Sequence, residues 1–335
     1  MKSSSATDGA LDMPTIEPVT EPAEVIEPAE AGTYGTIPSG FRLPQDIQLG
    51  PVRLQVADLS RSLDFYQRVL GLHLLAREEG SAKPRIAKLG TPTGELVELI
   101  ERPGAKPAPG RGRTGLFHFA LLLPDRESLG RFARHLMGMG VPAGSADHFV
   151  SEAFYIQDPD NLGIEVYADR PRSSWRRNGR ELVITTERID MAGLLKASGD
   201  EPWAGIPSGT TMGHVHLHVG ELDLSSTFYS EALGFDRMAQ GYPGALFMGA
   251  GGYHHHFAAN TWAGRGAKPP TMDESQLLEW TILFSDRPSM LAAAESLEER
   301  GFAFEPGEGS GEATVLARDP WGTAVRLEVG AAAAI

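Results

Sequence analysis

From residue 51 onward the chain repeats one phrase four times, and that repetition limits the folds open to it more than any other feature. The four openings are "PVRLQVADLSRSLDFYQRVLGL" (51–72), "FHFALLLPDRESLGRFARHLMGMGV" (117–141), "HVHLHVGELDLSSTFYSEALGF" (214–235) and "EWTILFSDRPSMLAAAESLEERGF" (279–302). Each begins with alternating apolar residues, the period of a half-buried strand, and passes into helical spacing beside an Asp or Ser suited to an N-cap. Turns and short strand-like runs follow. Each repeat then closes on one more strand, "GELVELIERP", "LGIEVYADRP", "GGYHHHFAAN" or "WGTAVRLEVG". Two of these closers follow the Asp-Pro turns "DPDN" (158–161) and "DPWG" (319–322). The unit is β-α-β-β-β, about 50–60 residues long, and such self-similarity decides architecture before any single element does.

One such unit covers only one face of its sheet with its helix, so the other face needs a partner unit. The expected fold is therefore α+β, with four βαβββ modules in two domains. Modules one and two fill 45–171, modules three and four fill 212–331, and 172–211 links them with a short helix near "DMAGLLKASG" (190–199). Ahead of the repeats, residues 1–44 open with "MKSSSATDGALDMPTIEPVTEPAEVIEPAEAG", which has seven acids, one lysine and recurring Glu-Pro. So little apolar surface cannot build a core, and 1–44 reads as a disordered acidic tail.

Composition narrows the chemistry. The 335 residues contain no cysteine, which excludes disulfides, thiolate catalysis and Cys-ligated metals, so any metal must be held by His and carboxylates. A net charge of −14 argues against nucleic acid as a partner. No apolar run reaches the roughly 18–20 residues of a membrane helix, so no membrane partner is expected. With no disulfides and no signal segment, the expected location is cytoplasmic. A homo-oligomer is compatible with this composition.

Six of the ten histidines fall in two stretches, "GHVHLHVG" (213–220) and "GGYHHHFAAN" (251–260). Together with "SLDFYQRVLGL", "GLFHFALLLPDR" and "DHFVSEAFYIQDPDNLGIEVYADRPR", they make residues 48–330 resemble the vicinal-oxygen-chelate superfamily of glyoxalases, bleomycin-resistance proteins and extradiol dioxygenases. Within it the chain looks like the two-domain bacterial catechol 2,3-dioxygenase group. That resemblance implies one Fe(II) held by two His and one carboxylate, with a small aromatic diol and O₂ as substrates. Mn(II) shares these ligand preferences.

The family places ligands on opening strands and on one closing strand, which carries over here to His118, Glu165 and His214. Module one offers Pro51 where His214 aligns. Module four offers Glu279 for His118 and Arg326 for Glu165. Neither sequential pair of modules completes a set, whereas modules two and three together do, so the cleft is expected between them. This departs from the commonest extradiol arrangement and is similar to that of hydroquinone-cleaving relatives. A two-His-one-carboxylate face leaves positions open for catechol and O₂.

Ring cleavage also needs a proton acceptor and donor, which a histidine near neutrality suits. The family's His-His-x-hydrophobic-Ala pattern points to His255. Read as a strand, the run puts His254 and His256 on the face opposite His255, so either His255 faces the cleft or that pair does. Tyr155, ten residues before Glu165, matches the family's active-site tyrosine, and His148 falls near a further family histidine. His216 shares a face with His214 and is expected to line the pocket, while His218 lies too far along to touch substrate. Two other readings stand beside the dioxygenase. One is a glyoxalase-like isomerase or lyase, for which Glu98 would be the extra carboxylate. The other is a metal-free ligand-binding protein of the bleomycin-resistance kind.

Overall fold

The computed structural model describes residues 26–79, 84–307 and 314–330. Two strands, β1 (Ile26–Pro28) and β2 (Gln48–Leu49), precede the repeats. Module one is β3 (Val52–Val56), α1 (Leu59–Arg68), β4 (His73–Glu78), β5 (Ile86–Thr91) and β6 (Gly94–Glu101). Module two is β7 (Gly115–Leu122), α2 (Arg126–Met139), β8 (Gly144–Asp147), β9 (Ser151–Gln157) and β10 (Gly163–Asp169). The connecting segment carries β11 (Arg176–Asn178), β12 (Glu181–Leu182) and α3 (Met191–Ala197), the helix expected near 190–199. Module three is β13 (Thr211–His218), α4 (Leu222–Ser226) running into a π-helical turn (Thr227–Ala232), β14 (Asp236–Ala239), β15 (Ala245–Gly249) and β16 (Phe257–Asn260). Module four is β17 (Gln276–Phe284), α5 (Arg287–Glu299), β18 (Phe304–Pro306), β19 (Val315–Arg318) and β20 (Ala324–Val329).

The expected aspartates start three of the four helices. Asp58 accepts from the Ser60 and Arg61 N–H groups, Asp125 from Ser128 and Asp286 from Ser289, satisfying donors a helix start leaves open. In module three Glu221 occupies the cap position without such a bond. In every module the closing strand returns parallel beside the opening strand, as β3–β6, β7–β10, β13–β16 and β17–β20. The two remaining strands continue the sheet outward in antiparallel order.

Between modules the pairing skips sequence neighbours. β7 lies antiparallel to β13, which joins modules two and three, and β3 lies antiparallel to β17, which joins modules one and four. β2 bridges β13 and β17. Sequential modules are tied differently, by their helices. The Tyr66 hydroxyl on α1 donates to Asp158 in the "DPDN" turn (3.2 Å), and the Tyr229 hydroxyl on the π-helical turn donates to Asp319 in "DPWG" (2.9 Å). All four groups are buried.

The tail requires a correction. Residues 1–25 lie outside the described residues, but 26–44 are folded against the rest of the chain rather than disordered. β1 pairs with β11, Tyr34 and Leu43 are buried, and the Tyr34 hydroxyl donates to the Gly252 carbonyl (2.8 Å). Low apolar content was the argument for disorder, yet Tyr34 needs only a small separate cluster, formed with Trp175, Tyr253 and Met238. The closing strand of module three also starts later than its sequence suggests. β16 begins at Phe257, so His254, His255 and His256 precede the strand and strand alternation does not govern where they point.

Candidate metal centre

Ala120 is the small residue around which the site is built. It lies opposite Glu165 on the parallel neighbour β10 and opposite His214 on the antiparallel neighbour β13. His118, two residues before it, emerges on the same face. Three donors thus meet over one methyl group. His118 Nε2 is 3.0 Å from Glu165 Oε2, His214 Nε2 is 2.9 Å from the same oxygen, and the two imidazole nitrogens are 3.3 Å apart. All three side chains are buried.

With Glu165 ionised, no placement of protons satisfies all three sides of this triangle. Two N–H groups aimed at the same Glu165 oxygen crowd each other across the 3.3 Å between the nitrogens, and one N–H with one bare nitrogen sets a lone pair against the carboxylate. A cation resolves all three contacts, so the residues fit a divalent metal. The protonation states agree. Burial opposes charge on His214 and, against the pull of Glu165, takes it down to about 4. Burial alone would raise the Glu165 carboxyl, but His214 and His118 hold it well below the usual carboxylate range. A neutral imidazole and an ionised carboxylate are the ligand forms a metal requires.

The other expected residues gather around this cluster. A cavity of about 40 Å³ is lined by His118, Glu165, His148, Tyr155, His216 and His255, with Phe117 and Trp262 among its walls. It adjoins a larger space of about 540 Å³ that shares His118, Tyr155, Phe117 and Trp262 and also reaches His218. His148 Nδ1 donates to the Thr185 carbonyl, which leaves Nε2 to accept from the Tyr155 hydroxyl (2.6 Å). Burial keeps His148 neutral and pushes the Tyr155 phenol well above its ordinary value, so Tyr155 presents an intact hydroxyl. The His255 ring packs 4.1 Å from that of His214, and burial and the neighbouring imidazoles push its basicity well down. His254 and His256 bond away from the cavity, to Asp169 and to the Ala250 N–H.

Sequence reading missed Asn260. Its Oδ1 accepts from the Trp262 N–H (3.0 Å) and from His218 Nδ1 (2.6 Å), so its amide nitrogen faces His216 Nε2 (2.9 Å). This fixes the His216 hydrogen on Nδ1 and takes its Nε2 lone pair out of use. The available signal was a single polar residue ending the apolar run of β16.

The other cleft, between modules one and four, has a larger cavity of about 1580 Å³. Its equivalent positions hold ion pairs. Arg326 binds Glu279 through Nε (2.5 Å), and Arg53 binds Glu98 (2.9 Å) and reaches Glu279 (3.5 Å). Glu98 is therefore committed to an arginine, away from the histidines.

Comparison with known proteins agrees with the architecture. The Glyoxalase/Bleomycin resistance protein/Dioxygenase superfamily matches residues 48–166 and 211–327. A Bacillus subtilis (strain 168) protein named Catechol-2,3-dioxygenase is 42% identical over 271 residues, spanning 79% of this chain and 93% of its own. A solved structure from Bacillus subtilis superposes with a TM-score of 0.61 at 13% identity over 86% of both chains. Glyoxalase I from Zea mays superposes at 0.53 and 20% identity, over 84% of this chain and 92% of that one. These structural likenesses speak for the fold. With the repeats, their pairing and these matches together, the chain belongs to the Glyoxalase/Bleomycin resistance protein/Dioxygenase superfamily.

Proposed function

We propose that this protein is a non-haem Fe(II) extradiol dioxygenase that cleaves a catechol-type ring with O₂ in the cytoplasm. The observation that carries the reading is the His118–Glu165–His214 triangle, in a chain 42% identical to a protein named Catechol-2,3-dioxygenase. The two-part organisation, 45–171 and 212–331 about the 172–211 link, serves this chemistry by bringing His118 and Glu165 to His214.

Fe(II) on this face would leave positions for both substrate oxygens and O₂ and supply the electron exchange between them. The chain's own residues do the rest. Phe117 and Trp262 offer apolar faces to the ring at the cavity wall. Tyr155, held by His148, hydrogen-bonds a substrate oxygen. His255 accepts the proton that a catechol hydroxyl loses and returns it when the ring opens. His216, neutral and clamped by Asn260, closes the far wall. Glu98 is bound by Arg53, which removes the extra carboxylate the isomerase reading would use.

The test is metal content and turnover together. The protein loaded anaerobically with Fe(II) should turn catechol into the yellow ring-cleaved aldehyde, and faster than after Mn(II) loading. Glu165→Gln and His118→Ala should both lose iron and at least about 100-fold in rate, as loss of a ligand or its close partner does. Full iron occupancy and activity in both variants would sink the reading.

A further inference from the structure

β10 carries Glu165, Tyr167 and Asp169 at alternate positions, on one face of the strand. Glu165 belongs to the triangle, whereas Asp169 has no part in the chemistry proposed above. Its Oδ1 accepts from His254 Nε2 (2.9 Å) and from the Tyr253 hydroxyl (3.3 Å). His254 is wholly buried between Tyr253 and Trp175, and its Nδ1 lies 2.7 Å from His255 Nδ1.

Hydrogen-bond arithmetic along this line has one solution for neutral rings. The carboxylate only accepts, so the His254 hydrogen is on Nε2. His254 Nδ1 is then bare and must accept, so the hydrogen between the rings belongs to His255 Nδ1. A neutral imidazole has one N–H, and His255 is left with a lone pair on Nε2. The converse arrangement would set a bare His254 Nε2 against a carboxylate oxygen, which is repulsive. We propose that Asp169 and His254 are positioning residues that lock His255 in the Nδ1–H form, with its Nε2 lone pair held for the cavity. Both act through His255; Asp169 touches neither the metal donors nor the cavity, and His254 meets His214 only edge to face, with 6.4 Å between ring centroids. They explain why three histidines run together, since the first orients the second and the third anchors the loop to the Ala250 N–H (3.2 Å). Without Asp169, His254 could adopt either form and would carry His255 with it. The use made of the lone pair rests on the dioxygenase reading, whereas the tautomer itself does not.

The experiment reads tautomer and turnover separately. Nitrogen-15 imidazole spectra of the metal-free full-length protein, assigned with His254→Gln and His255→Gln, should show hydrogen on His255 Nδ1 and a bare Nε2. In Asp169→Ala the His255 signals should shift toward a mixture of both forms. In the iron-loaded Asp169→Ala protein, kcat for catechol should fall about 10- to 100-fold, as for partners of site histidines, with KM within about threefold and iron content unchanged. Hydrogen on His255 Nε2 in the wild type overturns the proposal, and that spectrum decides even if the variant does not fold. So does an unchanged tautomer or an unchanged kcat in a folded Asp169→Ala protein. A wild type inert toward catechol but showing these tautomers would overturn the dioxygenase reading alone.

Discussion

Gly213 stands one residue before His214, where the pairing of β7 with β13 slips between Met212 and His214. A Cβ there would lie 1.9 Å from the Tyr167 phenol oxygen, which is buried and shares a 2.6 Å hydrogen bond with the Tyr253 hydroxyl. The Tyr167 ring cannot retreat without breaking that bond, so overpacking must push β13 and move His214. Gly213→Ala should cost about 1–3 kcal/mol of stability and weaken metal binding. In a denaturation cycle with Tyr167→Leu the two changes should be non-additive by at least about 0.5 kcal/mol, because both act on one contact. Additive losses would show that the glycine matters for backbone reasons alone. The sequence announces His118, Glu165 and His214 because their types and places in the repeat are visible. It does not announce Asn260 or Asp169, whose roles depend on partners 44 and 85 residues away. An Asn or Asp at a strand end is ordinary until its neighbour in space is known.

At the scale of elements, the phrase "FY" in two of the helical repeats marks a latch. Tyr66 and Tyr229 each donate to a buried aspartate in the Asp-Pro turn of the next module, and the π-helical turn brings Tyr229 there, stacked 3.7 Å from Phe257. Desolvation raises both aspartates, Asp158 to about 7 despite the Leu162 and Asp160 N–H groups it accepts from. A carboxyl whose folded pKa lies above its unfolded value holds extra protons in the native state between the two. Its contribution is therefore full below about 4 and is lost as pH rises to about 7. Asp158→Asn keeps an acceptor for the backbone and cannot ionise. The variant should gain on the wild type from pH 4 to pH 7 by up to about 4 kcal/mol, at 1.36 kcal/mol per unit. Urea titrations at both pH values would read it, and a constant gap would mean that Asp158 ionises normally. The helices themselves were legible from their caps and period. The limits of strands were less so, because a turn rich in His and Gly looks like the strand it leads into. In "GGYHHHFAAN" His255 lines the cavity and His254 and His256 bond elsewhere, one of the two arrangements expected, although the run precedes β16 and is not the strand that expectation assumed.

For the whole molecule, sheets and latches divide the work. Sheet pairing ties module two to three and one to four, while the tyrosine latches tie one to two and three to four. Every module is thus held on two sides, and the candidate donors are split between sequence halves, with His118 and Glu165 on one and His214 on the other. This cross-pairing was inferable because Pro51, Glu279 and Arg326 stand where a sequential pair would need ligands. The salt bridges were less so: Arg326 pairs with Glu279 inside module four, but Glu279 also reaches Arg53 of module one, a contact that depends on how the two modules pair. The covalent link between the halves should then be dispensable once folding is complete. Asp200 and Glu201 are exposed, beyond α3 and before β13. A protease site inserted there and cleaved in the folded protein should leave two fragments that co-elute and keep their iron, because β7–β13 and β3–β17 still join them. Separating the fragments in denaturant should abolish iron binding by each, since neither holds all three donors, and remixing should restore it. If one fragment alone held iron at full affinity, the donors would have to come from a single sequential pair of modules, and the pairing of β7 with β13 would have no part in making the site.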